Sequence, residues 1–193
     1  MAESIEHVLQ RTFGFMASMD TADFEAFARR ATRETFRKGD VLQREGTAAD
    51  TMYLLVEGCT IHKAMVPGHE GVIWISQPGD LVCEIYGYFS RTMAISRIVA
   101  VTDGVVYSMS HDDVESMYAE SHVWERIGRK SLQDYLLRHM RRNMDMQFLS
   151  AEDRYASFGE RYAEAAKVLP LVDVASFLAI APETLSRIRS RLK

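Results

Sequence analysis

Apolar residues recur at helical spacing at Ile5, Val8, Leu9, Phe13 and Met16, and after a break near Met19-Asp20 a second apolar stretch centres on Phe24 and Phe27. Residues 3–31 are therefore predicted as a helical lead-in. From Glu34 to Ser110 the pattern changes to short β-rich segments cut by Gly39, Gly46, Gly58, Gly68, Gly71, Gly79, Gly87 and Gly104. Closely spaced strands with such turn signals predict an antiparallel sandwich or barrel. Met52 to Val56 and Ile61 to Val66 flank Glu57-Gly58, and Gly71 to Ile75 follows Pro67-Gly68, so both glycine pairs read as hairpin turns. From Asp112 glycine nearly vanishes and one long helical pattern runs to about Gln147. On it Leu136, Leu137, Met140, Met144 and Phe148 share about a third of the helix circumference, with Arg138, Arg141, Arg142 and Asp145 mostly outside. That stripe needs a cover, either the rest of this chain or the same helix of a second copy. Ala151 to Leu169 reads as one or two short polar helices ending before Pro170, with a boundary near Ser150.

The last segment has a pattern of its own. Val174, Leu178, Ile180, Leu185 and Ile188 supply the inner faces of two short helices, and Ala175 is the small residue where the helices would cross. This is the spacing of a helix-turn-helix. Pro182 suits the first turn of the second helix, where its missing N–H costs nothing. Leu185, Ile188 and Leu192 then point one way. Glu183, Ser186, Arg187 and Ser190 point the other, with Thr184 at the edge. The same charges also suit a plain helix, because Glu183 stands at an N-terminus, the arginines at a C-terminus, and Glu183 and Arg187 are an i,i+4 pair.

Charge supports a role for that end. The chain of 193 residues has a formal net charge of −4, yet the last ten residues hold Arg187, Arg189, Arg191 and Lys193 against no acid. A mildly acidic body with a basic tip suits docking of one end on phosphate. Two cysteines, Cys59 and Cys83, make no disulfide framework and are expected reduced. The first twenty residues mix charge into their apolar positions and do not read as a secretion signal, and no apolar run approaches a membrane span. A cytoplasmic protein without membrane contact is expected. No nucleophile–base pair, metal cluster or phosphate loop stands at a recognisable spacing, so no enzyme is expected.

The strings Phe36-Arg37-Lys38-Gly39-Asp40-Val41, Glu45-Gly46, Asp50, Tyr53-Leu54-Leu55-Val56-Glu57-Gly58 and Pro78-Gly79-Asp80-Leu81-Val82-Cys83-Glu84 resemble the glycine and strand pattern of cyclic-nucleotide-binding domains. With the C-terminal motif, residues 20–193 look like a Crp/Fnr-type transcription regulator. The resemblance implies an α+β chain: an antiparallel β-roll of jelly-roll type behind a helical lead-in (1–111), a long dimerisation helix (112–148), and a small helix-turn-helix unit (149–193) without a full wing, since the sequence stops at Lys193. It implies a homodimer joined through Gln133, Leu136, Leu137, Met140 and Met144. Double-stranded DNA is the implied partner, with RNA polymerase a further one. In the segment Glu183-Thr184-Leu185-Ser186-Arg187 a Glu and an Arg four residues later would read bases. Pro182, Glu183, Thr184, Ser186, Arg187 and Ser190 would enter the groove, with Arg189 and Arg191, and Lys193 beside them, on phosphates. Two positions depart from the family: Ala179 stands where a turn glycine is usual, and Pro182 where a basic or hydroxylic residue is frequent. A rival reading is a ligand-binding signalling module whose C-terminal helices dock a protein.

The family holds its nucleotide with Gly-Glu, a short helix, then Arg-Ser/Thr-Ala. Here Glu84 remains, Cys83 replaces the glycine, and an ungapped alignment puts Ala94 and Ile95 at the Arg and Ser positions. Arg91-Thr92 serves only with a loop three residues shorter. The pocket candidates are thus Cys83, Glu84, Arg91 and Thr92. Glu84 has a competing structural role, capping a helix over Ile85 to Phe89 or pairing with Arg91 or Arg97. With Phe89, Met93 and Ile95 nearby, an uncharged or apolar effector, or none, is expected rather than cyclic AMP. An iron–sulfur sensor needs about four cysteines and is excluded. His62, His69, His111, His122 and His139 lack the Cys or Met companions of a haem site and read as surface residues.

Overall fold

In a computed structural model, residues 4–66 and 68–191 are described; Pro67, Leu192 and Lys193, named above, lie outside them. The lead-in is two helices, α1 (Ile5–Phe13) and α2 (Thr21–Ala28). Ser4 caps α1 by accepting from the His7 N–H, and Asp20 and Asp23 close a capping box on α2. Eight strands follow, β1 (Thr32–Phe36), β2 (Val41–Gln43), β3 (Thr51–Glu57), β4 (Thr60–Val66), β5 (His69–Ser76), β6 (Leu81–Val82), β7 (Arg97–Ala100) and β8 (Gly104–Ser110), with α3 (Ile85–Ser90) between β6 and β7. They form two four-stranded antiparallel sheets, ordered β1-β8-β3-β6 and β2-β7-β4-β5.

The central strands of both sheets are covered on both faces, while β1 stays exposed from Thr32 to Thr35. Between the sheets Phe36, Leu55, Val82, Ile98, Ala100 and Val106 form the core of the roll. The outer face of the first sheet, through Met52, Leu54, Val56, Val105 and Tyr107, packs on the lead-in, where Phe27 stacks on Trp124 at 5.3 Å. The outer face of the second, through Ile61, Val72 and Ile75, packs on the C-terminal helices.

Two sequence expectations need correction. Glu57-Gly58 is not a hairpin turn: β3 pairs with β6 and β8, β4 with β5 and β7, so the turn is a corner between sheets. Gly58 sits at φ +98°, and a Cβ there would lie 2.8 Å from the Asp103 carbonyl oxygen, which fixes glycine at this corner. The long helix is also two helices, α4 (His111–Glu120) and α5 (His122–Phe148). Ser121 breaks them apart: it leaves helical geometry, accepts from the Trp124 N–H, and donates to Asp23 Oδ1 at 2.7 Å. The Trp124 indole N–H bonds the Asp23 carbonyl at 3.0 Å, so α5 starts from an anchor on the lead-in. After α5 come α6 (Ala151–Arg161), α7 (Ala165–Val168), α8 (Leu171–Phe177) and α9 (Pro182–Arg191). No helix among the described residues is long and apolar enough to cross a membrane.

Candidate functional site

The α8–α9 pair has the geometry its spacing predicts. Ala175 and Leu185 are fully buried, with Val174, Leu178 and Ile188 beside them. The turn closes by a Schellman arrangement: the Ile180 N–H bonds the Ala175 carbonyl and the Ala179 N–H bonds the Ser176 carbonyl, both at 3.0 Å. This puts Ala179 at φ +52°, a left-handed conformation that costs an L-residue about 1–2 kcal/mol. Ala179→Gly is expected to relieve that strain, partly offset by the freer unfolded chain, and to raise Tm by about 2–4 °C. Thermal unfolding checks it, and a lowered Tm would refute the strain.

Two arginines outside the apolar stripe hold the carbonyl end of α8. Arg142 donates to the Phe177 carbonyl at 3.0 Å with its guanidinium 4.6 Å above that ring, and Arg154 donates to the Leu178 carbonyl at 2.8 Å. Lys63 of β4 pairs with Asp173 at 2.7 Å, and Ser176 Oγ accepts from the Val72 N–H at 2.9 Å, which fastens α8 to the second sheet. The opposite side of the unit is open. Pro182, Glu183, Ser186, Arg187, Arg189, Ser190 and Arg191 are exposed and Thr184 is half-buried. Arg187 donates to Thr184 Oγ1 at 3.3 Å, in place of the i,i+4 pair with Glu183, and Arg191 pairs with Glu152 at 2.7 Å.

The α5 stripe is not covered by the rest of the chain. Leu136, Leu137, Met140, Met144 and Phe148 are all more than half exposed, Leu132 extends the row toward the N-terminus, and Gln133 lies beside it. The other side of α5 faces the roll with Tyr135, Arg138 and His139.

Beneath that side lies a cavity of about 190 Å³, lined among others by His62, Trp74, Cys83, Glu84, Ser96, Tyr135 and His139. Glu84 is buried and caps α3: one oxygen accepts from the Gly87 N–H at 2.8 Å, the other from Ser96 Oγ at 3.0 Å. Burial pushes the Cys83 thiol up to about 12, as it does Cys59, so both thiols are unreactive and free. Arg91 and Thr92 are corrected: they do not line this cavity but a separate depression with Ala48, Ala49 and Asp50. Arg91 ends α3 in left-handed conformation and turns outward to Asp112 at 3.2 Å.

The histidines are also corrected. His62 is 6% exposed and its Nε2 has no hydrogen-bond partner; burial lowers its pKa to about 4. His111 and His139 are half-buried, and only His69 and His122 of the five are exposed. Sequence reasoning thus missed His62, Trp74, Ser96, Tyr135 and His139. Tyr135 and His139 are one helical turn apart, a spacing that was available as a signal.

The cyclic nucleotide-binding domain family matches residues 33–121, and most of the chain superposes on solved regulators. FixK2 from Bradyrhizobium japonicum is similar at 20% identity over 84% of each chain, TM-score 0.73. CLP from Xanthomonas campestris, a c-di-GMP responsive global regulator, is similar at 17% over 90% of this chain and 91% of that one, TM-score 0.70. A Crp/Fnr-family transcriptional regulator from Eubacterium rectale is similar at 13% over 94% and 87%, TM-score 0.69. The chain has the Crp/Fnr fold. Comparison with curated protein sequences finds no match.

A Crp/Fnr fold implies a cyclic nucleotide in the roll, and the residues do not fit one. Among the described residues no lysine or arginine lines the cavity, while the Glu84 carboxylate does. A phosphate there would meet a like charge in a poorly solvated site with no compensating cation.

Proposed function

We propose that this chain is a sequence-specific DNA-binding transcription regulator that acts as a homodimer and is not governed by cyclic AMP. The reading rests above all on one observation: the second helix of a helix-turn-helix exposes Glu183, Ser186, Arg187 and Ser190 opposite the buried Leu185 and Ile188. An exposed polar face of that kind fits the major groove, where a Glu accepts from cytosine N4 and an Arg makes a bidentate pair with guanine. Arg189 and Arg191 hold phosphates and set register. The α5 stripe joins two copies, so the site is a near-palindrome with half-sites about one helical turn apart. Residues 1–111 sense, 112–148 dimerise and 149–193 bind DNA. The chain works by binding rather than catalysis, in the cytoplasm, with RNA polymerase as a further partner.

Selection of bound fragments from random duplex DNA by the purified chain gives the site. On it, Arg187→Ala, which removes one base contact from each half-site, is expected to lower affinity of the dimer by about 30-fold or more and relax preference at one base pair per half-site, with little change in salt slope. Uniform weakening across all sequences would assign Arg187 to a phosphate instead.

A further inference from the structure

We propose that each copy docks an apolar ridge on its roll, formed by Ile73, Tyr86, Phe89 and Ile95, against the groove between α1 and α5 of the second copy, where Phe15 and Leu137 are exposed. The proposal rests on the homodimer reading. It extends the interface beyond the α5 row to two further surfaces that complement each other.

Local structure explains the ridge. In α3, Gly87 and Tyr88 turn inward, so Tyr86 and Phe89 are left outside, each more than half exposed. A bulge has the same effect on β5: His62 pairs with Trp74 and Lys63 with Val72, so Ile73 between them has no partner and is aimed outward. Ile95, also more than half exposed, completes the ridge. It is continuous with the α5 row. Ile73, Tyr86 and Ile95 line the cavity that Tyr135 and His139 close, and Phe89 lines a smaller one with Leu132.

The other flank of α5 carries the groove. It measures about 570 Å³, runs between α5 and the end of α1, and is lined among others by Phe15, Pro78 and Leu137. Phe15 is 78% exposed. Lys130, Asp80 and Asp134, which also line it, are engaged within the chain: Lys130 donates to the Met16 carbonyl at 2.6 Å, and both carboxylates pair with Arg138. Phe15 and Leu137 are what it offers a partner.

Width, symmetry and area make the occupant a second copy. At 3.6 residues per turn the row from Leu132 to Phe148 spans roughly 160° of the helix, and a seam between two helices uses a narrower stripe. Pairing α5 with its copy therefore leaves both edges of the row uncovered, Leu132 on one side and Leu137 on the other. Two reading heads on one duplex need the two α5 helices to run in the same direction. Around a two-fold axis along such a pair, the Leu132 flank of one copy faces the Leu137 flank of the other, so ridge meets groove twice. A half-exposed side chain of this size offers on the order of 100 Å². The row alone thus supplies about 600 Å² per copy, short of the ~800 Å² of a standard interface, and ridge and groove carry it past that figure.

The test uses the full chain, without added nucleotide, in sedimentation over a concentration series. Phe89→Glu and Ile95→Glu are each expected to weaken dimerisation by about tenfold or more, because a carboxylate is taken from water into an apolar contact. Met65→Glu, at a residue just as exposed but lining neither surface, should dimerise like the parent. A short bis-maleimide should join Phe89→Cys chains to Phe15→Cys chains after the two are mixed and allowed to exchange, and join neither to itself, since Cys59 and Cys83 are buried. A dimeric parent whose Phe89→Glu and Ile95→Glu variants dimerise equally well, or whose mixed cysteine variants do not cross-link, would overturn the proposal and leave the homodimer reading standing. That is also the result if another protein covers the ridge. A parent that stays monomeric at every concentration would overturn both.

Discussion

Leu137→Asp is expected to turn the proposed dimer into monomers and to weaken binding to a palindromic site by about 100-fold or more. Leu137 is 67% exposed within one chain, in the middle of the row from Leu132 to Phe148. An aspartate there leaves the folded monomer nearly untouched, since the site is already solvated. In a two-fold dimer the same change places two like charges at one self-complementary interface, each stripped of water. Burying one unpaired charge costs about 3–5 kcal/mol, more than full burial of the leucine contributes, at about 1.5–3 kcal/mol. Loss of DNA affinity follows from the loss of the second reading head, because linked heads gain about 10²–10⁴ over single ones. Sedimentation and a gel shift measure the two effects, with unchanged Tm at low concentration as the control. A variant that stays dimeric would move the interface off α5.

Acidification is the second large effect. Burial holds His62 neutral with a pKa of about 4, against 6.5 unfolded. Between these values the unfolded chain binds a proton that the folded chain refuses, so stability falls as pH drops from 6.5 toward 4 and the loss is complete below the folded pKa. The loss amounts to about 3 kcal/mol. Urea unfolding at pH 7 and pH 4.5 measures it, and His62→Leu should remove this part of the slope. Glu84 and His139, which also face the cavity, remain in that variant, so the difference between the two chains isolates His62. Parallel pH profiles for the two would show that His62 protonates as easily folded as unfolded.

What the sequence made legible was local. The helix-turn-helix could be read because its signals lie within twenty residues: Ala175 at the crossing, Pro182 at the start of α9, Leu185 and Ile188 a turn apart. Glu84 as a cap could also be read, being three residues from Gly87. The strands were readable as strands but not by face. With the central strands covered on both faces, their inward and outward residues are both apolar, so nothing in the pattern showed that His62 points into the roll. The corner at Gly58 looks like a hairpin because its partner Asp103 is far along the chain. Ser121 breaks a helix for the same reason, through a bond to Asp23 that only the fold supplies.

Strand β4 has one more consequence. Ile61 points out, into the core shared with α8 and α9, and the next residue, His62, points in, toward the cavity. Adjacent Cα atoms are 3.8 Å apart and rigidly linked. The second sheet is therefore a thin partition with the cavity on one side and the core of the helix-turn-helix on the other. A change at His62 would lie one peptide unit from the helix-turn-helix core, a far shorter distance than the length of α5.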